Sequence, residues 1–213
     1  MRLTPEKRSA KITAEVKQVI PLVEQIDNRV FFFINNTWSS GLLDDIFVSL
    51  THLGSWTVLL ITAALLAGEG RRRFLLHFVS MLVIGLIVVG ILRQAKQIVD
   101  RGRPPRYFEE EIYFGEVRIN TPDPSVATGG KSFPSGHSTM AFYALVYPLI
   151  VKRRGALPLL LLASLIALSR VYVGTHFITD CIAGAALGSI GALAAARLFY
   201  FLEGPGWKPK TAT

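Results

Sequence analysis

Residues Phe74-Leu75-Leu76-His77-Phe78-Val79-Ser80-Met81-Leu82-Val83-Ile84-Gly85-Leu86-Ile87-Val88-Val89-Gly90-Ile91-Leu92 decide the fold of this chain. The run holds no acidic residue, lysine or arginine, and Arg71-Arg72-Arg73 and Arg93 frame it. Its length is close to the roughly 20 apolar residues that cross a bilayer. Further apolar stretches run from about Ile46 to Ala67, Ser138 to Val151, Leu157 to Val173 and Phe177 to Phe201. Gly68-Glu69-Gly70 and Lys152-Arg153-Arg154-Gly155 punctuate them. The mean hydropathy of +0.41 is high for a soluble globule, in which such long apolar runs are not ordinary. A backbone inside lipid must satisfy its own hydrogen bonds, so the spans are read as helices.

The stretch before the first span is different. Val19, Val23, Ile26, Val30, Phe33 and Ile34 recur at helical spacing, with Glu24, Asp27, Asn28 and Arg29 between them. This stripe predicts an amphipathic helix lying at the interface, with a sixth membrane helix as the alternative. The expected fold is therefore an all-α integral membrane protein, with five to six transmembrane helices in a bundle and an N-terminal amphipathic helix. Three regions are expected. Residues 1–45 form a polar N-terminus and the amphipathic (interfacial or first membrane) helix, 46–203 the transmembrane core, and 204–213 a cytoplasmic tail. Gly184, Gly188 and Gly191 give the last helix a face for close packing.

Net charge is +8, but the basic residues are scattered between spans rather than gathered with aromatics into a stripe, so no nucleic-acid partner is expected. The single cysteine, Cys181, excludes an intramolecular disulfide. Met1 to Lys17 lacks the apolar core of a signal peptide. Asn35-Asn36-Thr37 fits the glycosylation pattern, a motif too short to carry weight. If the spans alternate, Arg71-Arg72-Arg73, Lys152-Arg153-Arg154, Lys208 and Lys210 share one side, which positive charge in short loops marks as cytoplasmic.

Three polar clusters then meet at the opposite surface. Lys96 to Pro104 follows the second span, Phe133-Pro134-Ser135-Gly136-His137-Ser138 opens the third, and Ser169 to Asp180 bridges the fourth and fifth. Ser135 can cap the third helix, placing His137 in its first turn, where unpaired N–H groups suit an anion. Lys96, Arg103 and Arg170 can form a positive cradle, and an arginine fork matches phosphate geometry. Ser135 and the Gly136 N–H can add hydrogen bonds. His176 and Asp180, four apart, share a face if the helix has begun, and a carboxylate there can fix the imidazole tautomer. Asp100 and Arg101 are read as solvated loop residues, and His52 and His77 as packing or interfacial residues without clustered partners. Tyr172 and Phe177 are read as interfacial anchors, and the 107–130 insertion has no assigned mechanism.

Lys96-x6-Arg103-Pro104, Pro134-Ser135-Gly136-His137 and Ser169-Arg170-x5-His176-x3-Asp180 resemble the three-part motif of the type-2 phosphatidic acid phosphatases, shared with vanadium haloperoxidases. The likeness covers about Leu92 to Gly188. It implies a hydrolase in which His176 attacks phosphorus to form a phosphohistidine, Asp180 orients it, and His137 protonates the leaving alkoxide. Lys96, Arg103, Ser135, Gly136 and Arg170 would hold the phosphate, with no metal or other cofactor. The implied partners are a lipid phosphate substrate and the bilayer. Candidate substrates are undecaprenyl diphosphate, phosphatidylglycerophosphate, phosphatidic acid and lipid A phosphate. The compact chain is similar to bacterial members, which implies the inner (cytoplasmic) membrane with the site on its extracytoplasmic face. A non-catalytic lipid-phosphate binding or transport protein is the alternative.

Overall fold

The computed structural model describes residues 21–54, 57–123, 125, 129–152 and 156–204. Arg153, Arg154, Lys208 and Lys210, on which part of the orientation reading rests, lie outside the described residues, as does the polar N-terminus through residue 20. The described residues are helical with no β-strand. Helix α1 covers residues 21–32 and ends in a π-helical turn, Phe33–Thr37. There follow α2 (Gly41–Leu53), α3 (Thr57–Leu66), α4 (Arg71–Val99), the short α5 (Pro104–Tyr107) and α6 (Glu109–Tyr113), then α7 (Gly136–Lys152), α8 (Ala156–Tyr172) and α9 (Ile178–Glu203).

Helices α4 and α9 are each long and apolar enough to cross a membrane. The expected first span, Ile46 to Ala67, is instead broken into α2 and α3, bent by 61°, and only together do these make a third candidate. Gly54 ends α2 against α8: a Cβ there would stand 2.5 Å from Ile166 Cγ2. At 17 residues each, α7 and α8 are about 25 Å long at 1.5 Å per residue, somewhat short of a 30 Å hydrocarbon core.

The small-residue face of α9 packs as its glycines imply. A Cβ on Gly184 would lie 2.5 Å from Ser135 O, one on Gly188 2.3 Å from Thr139 O, and one on Gly191 2.6 Å from Val88 Cγ2. Backbones thus approach where side chains would hold them apart, and α9 seats against α7 and α4. Tyr143, Tyr147, Ala192, Ala195 and Ala196 fill the core between these helices.

Several sequence expectations need correction here. Tyr172 and Phe177 are not interfacial anchors but fully buried: Tyr172 stacks on Phe47 at 4.3 Å and donates to Asp44, and Phe177 packs with Phe31, Tyr107 and Phe108. His77 is not without partners. It is buried on α4, within hydrogen-bonding distance of Tyr147 Oη (2.8 Å) and Glu69 (3.2 Å), and stacked on Phe199. Together with Arg73–Glu203 and Lys152–Glu69 ion pairs, this forms a polar clasp across the end of the bundle remote from His176. His52 pairs with Asp123 at 2.9 Å and so ties α2 to the 107–130 insertion. Asn35 is buried, its amide donating to Asn120 O and Tyr172 O while its oxygen accepts from Asn120 N, which leaves no room for a glycan.

Candidate active site

The C-terminal ends of α4 and α8 and the N-terminal ends of α7 and α9 meet at one end of the bundle, and the three sequence clusters are stitched there by backbone hydrogen bonds. Gly102 bridges to Lys131, and Ser132 N donates to Arg101 O at 2.7 Å, joining the first cluster to the approach of the second. Ser135 N donates to Asp180 O at 2.9 Å, joining the second to the third. Lys96 sits on the last turn of α4, longer than expected from the apolar run, and donates to Lys131 O at 3.0 Å.

Helix α7 begins at Gly136, two residues before the expected start at Ser138. Ser135 is its N-cap: Ser135 Oγ accepts from Ser138 N and Ser138 Oγ, at 3.4 and 3.1 Å. The Gly136 N–H and the half-buried His137 are thereby aimed at the helix mouth, where unpaired amides favour an anion. Arg170, Arg103 and His176, motif residues from three other segments, lie close enough to His137 to act on it electrostatically.

Arg170, 3% exposed, is held from α2: its Nη1 donates to Thr51 Oγ1 at 2.9 Å, and Thr51 in turn bonds Ser169 Oγ at 2.9 Å. The buried Arg170 Nε has no hydrogen-bond acceptor among the described residues. A desolvated, unmatched guanidinium donor at this position suits a phosphate oxygen. Burial lowers the pKa of Arg103, with Asp180 opposing the shift; against an ordinary value far above neutrality the guanidinium stays charged.

His176 lies in the turn before α9, not on it, because the helix starts only at Ile178. The expected shared helical face is therefore replaced by a fold-back. Asp180 Oδ2 accepts from Phe177 N at 2.8 Å, capping α9, which brings the carboxylate toward the imidazole. His176 Nδ1 and Asp180 Oδ2 are 3.7 Å apart, too far for a hydrogen bond. Ser132 stands between them: its Oγ is 3.3 Å from His176 Nδ1 and makes a short bond to Asp180 Oδ2. Sequence reasoning missed Ser132; its place two residues before Pro134 was the available signal. Burial first, then Arg170 and Arg103, push the His176 pKa down to about 4, with Asp180 opposing, so the imidazole is neutral near pH 7.

Arg101 is not a solvated loop residue. Its guanidinium pairs with Asp180 Oδ1 at 3.1 Å and Asp27 Oδ2 at 2.8 Å and lies 3.9 Å from the centre of the Phe177 ring. Asp100 is exposed as expected and pairs with Lys131. Among the described residues, no three His, Cys, Asp or Glu side chains gather as metal ligands.

A helical bundle with candidate membrane spans thus gathers the buried Arg170 and a carboxylate-linked buried histidine at one end, an arrangement able to hold an anion. Residues 74–203 match the PAP2 superfamily model, and the chain belongs to that superfamily, an enzyme of the phosphatase class. It is 31% identical over 180 residues to phosphatidylglycerophosphatase B of Bacillus subtilis, covering 76% of this chain and 74% of that protein. It is 31% identical over 150 residues to the decaprenylphosphoryl-5-phosphoribose phosphatase of Mycobacterium tuberculosis, covering 68% of this chain and 74% of that one. Among solved structures it resembles LpxE of Aquifex aeolicus, with a TM-score of 0.61 and 26% identity over 79% of this chain and 93% of that one.

Proposed function

We propose that this protein hydrolyses the phosphate of a membrane lipid through a phosphohistidine on His176, without a metal ion. Lys96, Arg103, Arg170, Ser135 and the Gly136 N–H neutralise the non-bridging oxygens, which is where most of the work of phosphoryl transfer lies. His176 Nε2 attacks phosphorus as the neutral imidazole. Its Nδ1–H is held by Ser132 and, through it, by Asp180, which fixes the tautomer and stabilises the cation formed. His137, protonated once the phosphate anion lies beside it, gives that proton to the departing oxygen, then takes one from the water that cleaves the N–P bond and releases phosphate.

One observation carries the lipid part of this reading. An apolar cavity of about 420 Å³ runs between α3, α4 and α7, bordered by Leu59, Leu66, Phe78 and Leu86, and reaches Leu92 and Gly136 at the phosphate end. A hydrocarbon chain lying there would present its headgroup to the cradle. The substrate class is a phosphomonoester or diphosphate of a lipid: phosphatidylglycerophosphate, phosphatidic acid, undecaprenyl diphosphate, a polyprenyl phosphate sugar or lipid A phosphate. Relatives named for phosphatidylglycerophosphate and for decaprenylphosphoryl-5-phosphoribose support that range.

Arg71, Arg72, Arg73 and Lys152 lie at the end remote from His176, so positive charge in short loops favours a cytoplasmic remote end and an extracytoplasmic site in a bacterial inner membrane. Five spans (α2 with α3, α4, α7, α8 and α9) over 46–203 then form the core, with residues 1–45 before it and a cytoplasmic tail at 204–213. The test is phosphate release by detergent-purified protein against those five lipids, with His176→Ala in parallel. Release from at least one lipid, lost in the variant, supports the reading. Retention of unchanged lipid by a folded protein would make it a binding protein instead.

A further inference from the structure

The first helix, outside the stretch that matches the superfamily model, reaches the carboxylate behind the candidate nucleophile. Asp27 of α1 is fully buried and accepts from Arg101 Nη2 at 2.8 Å, from Thr179 N at 3.0 Å and from Thr179 Oγ1 at 2.5 Å. Arg101 turns its other nitrogen, Nη1, to Thr179 Oγ1 at 3.0 Å and Asp180 Oδ1 at 3.1 Å. Its guanidinium plane is held over the Phe177 ring. Phe31, one turn on from Asp27 in α1, packs on that same ring at 5.5 Å.

We propose that Arg101 is a positioning residue for Asp180 and that Asp27 of α1 sets its place, so that docking of the first helix completes the active site. The proposal rests on the phosphatase reading above. The carboxylate of Asp180 has two oxygens with different tasks. Oδ2 faces Ser132 and the Phe177 N–H, on the histidine side, and Oδ1 faces Arg101. A guanidinium fixed on Oδ1 prevents the carboxylate from rotating Oδ2 away from Ser132. Arg101 would itself be free to swing to solvent on its loop, since it is 16% exposed, were it not clamped between Asp27 and Phe177. Outer partners of a catalytic group act through orientation, and around metal ligands their loss costs about 10- to 100-fold.

The test is a double-mutant cycle on the full chain in detergent, using Asp27→Asn and Arg101→Gln, with dioctanoyl phosphatidic acid as substrate and inorganic phosphate as inhibitor. Asn keeps an acceptor for the Thr179 N–H and puts an uncharged amide donor where Oδ2 accepts from Arg101 and the Thr179 hydroxyl. Each single variant is expected to lose about tenfold in kcat, while KM and the phosphate inhibition constant stay within about twofold of wild type. The double variant is expected to be no slower than Arg101→Gln alone, because Asp27 acts through Arg101. Should Arg101→Gln fail to fold, Arg101→Lys takes its place: it keeps the charge but not the fork, and the same split in kcat is expected. With active wild type, multiplicative losses in the double variant, or KM and phosphate inhibition moving along with kcat, would overturn the positioning role alone. A wild type that releases no phosphate from any of the five lipids or from this short-chain one would overturn the phosphatase reading and the proposal together.

Discussion

The backbone N–H of Ser135 donates to the carbonyl oxygen of Asp180 at 2.9 Å, so the cap of α7 and the first turn of α9 are one rigid unit. In the proposed reaction Ser135 stands against the phosphate and Asp180 behind the nucleophile, so a shift in either helix would be felt in both halves of that reaction. The close approach is possible because Gly184, one turn beyond Asp180, has no side chain to meet Ser135 O.

Gly184→Ala follows directly from that contact. A methyl 2.5 Å from a backbone oxygen forces α7 and α9 apart, and overpacking of this kind costs about 1–3 kcal/mol. The variant should melt at lower temperature and lose activity, whereas Gly90→Ala, with nothing within 4 Å of its Cβ, should do neither. Thermal unfolding and phosphate release on the two variants check this.

Ser132→Ala removes the only atom seen between His176 Nδ1 and Asp180 Oδ2 among the described residues. At 3.7 Å the histidine and carboxylate do not bond directly, so kcat should fall by roughly tenfold or more with KM little changed, the mark of an interaction made in the transition state. Steady-state kinetics would show a rise in KM instead if Ser132 only held the substrate.

Thr51→Val strips Arg170 Nη1 of its acceptor in a site where the arginine is 3% exposed. Losing a hydrogen bond to a buried charged group costs about 1.5–3 kcal/mol, and the cradle should bear it. KM and the inhibition constant for inorganic phosphate are expected to rise about tenfold, more than kcat falls. Unchanged phosphate inhibition would separate Thr51 from the cradle.

The pH dependence follows from His176, whose pKa is lowered by burial to about 4, against an ordinary value of about 6.5. In that window the unfolded chain binds a proton that the folded chain refuses, so this residue makes stability fall as pH drops from 6.5 toward 4 and rise as pH is raised. Over most of that window the folded His176 stays neutral. Histidine-selective NMR titration, assigned with His176→Asn, should show the His176 resonance still neutral at pH 5.5; its titration at 6.5 or above would contradict this.

The helix ends and the motif residues were legible in the sequence because both depend on local pattern. Apolar runs bounded by charges marked α4, α7, α8 and α9 to within a few residues apart from the C-terminal end of α4, and the spacing of Gly184, Gly188 and Gly191 marked a packing face. The close seat of Gly54 was not legible, since it is Ile166 on another helix that packs there. Ser132, Thr51, Asp27 and Arg101 were hidden for the same reason. Asp27 meets Thr179 across 152 positions and Thr51 meets Arg170 across 119, and no periodicity reports such pairings. The histidine–carboxylate spacing is visible in the sequence, but whether the helix has begun at His176 is not, because the capping fold-back of Asp180 onto Phe177 N is a property of the helix start.

The central claim is that His176 carries the phosphoryl group. Purified protein would be mixed with a ³²P-labelled lipid phosphate that it cleaves, quenched in alkali within milliseconds, and digested for mapping. The account predicts a label that is stable to base and labile to acid, on the peptide holding His176, and absent from His176→Asn. Phosphate release at an undiminished rate in that variant, or label on any other residue, would contradict it.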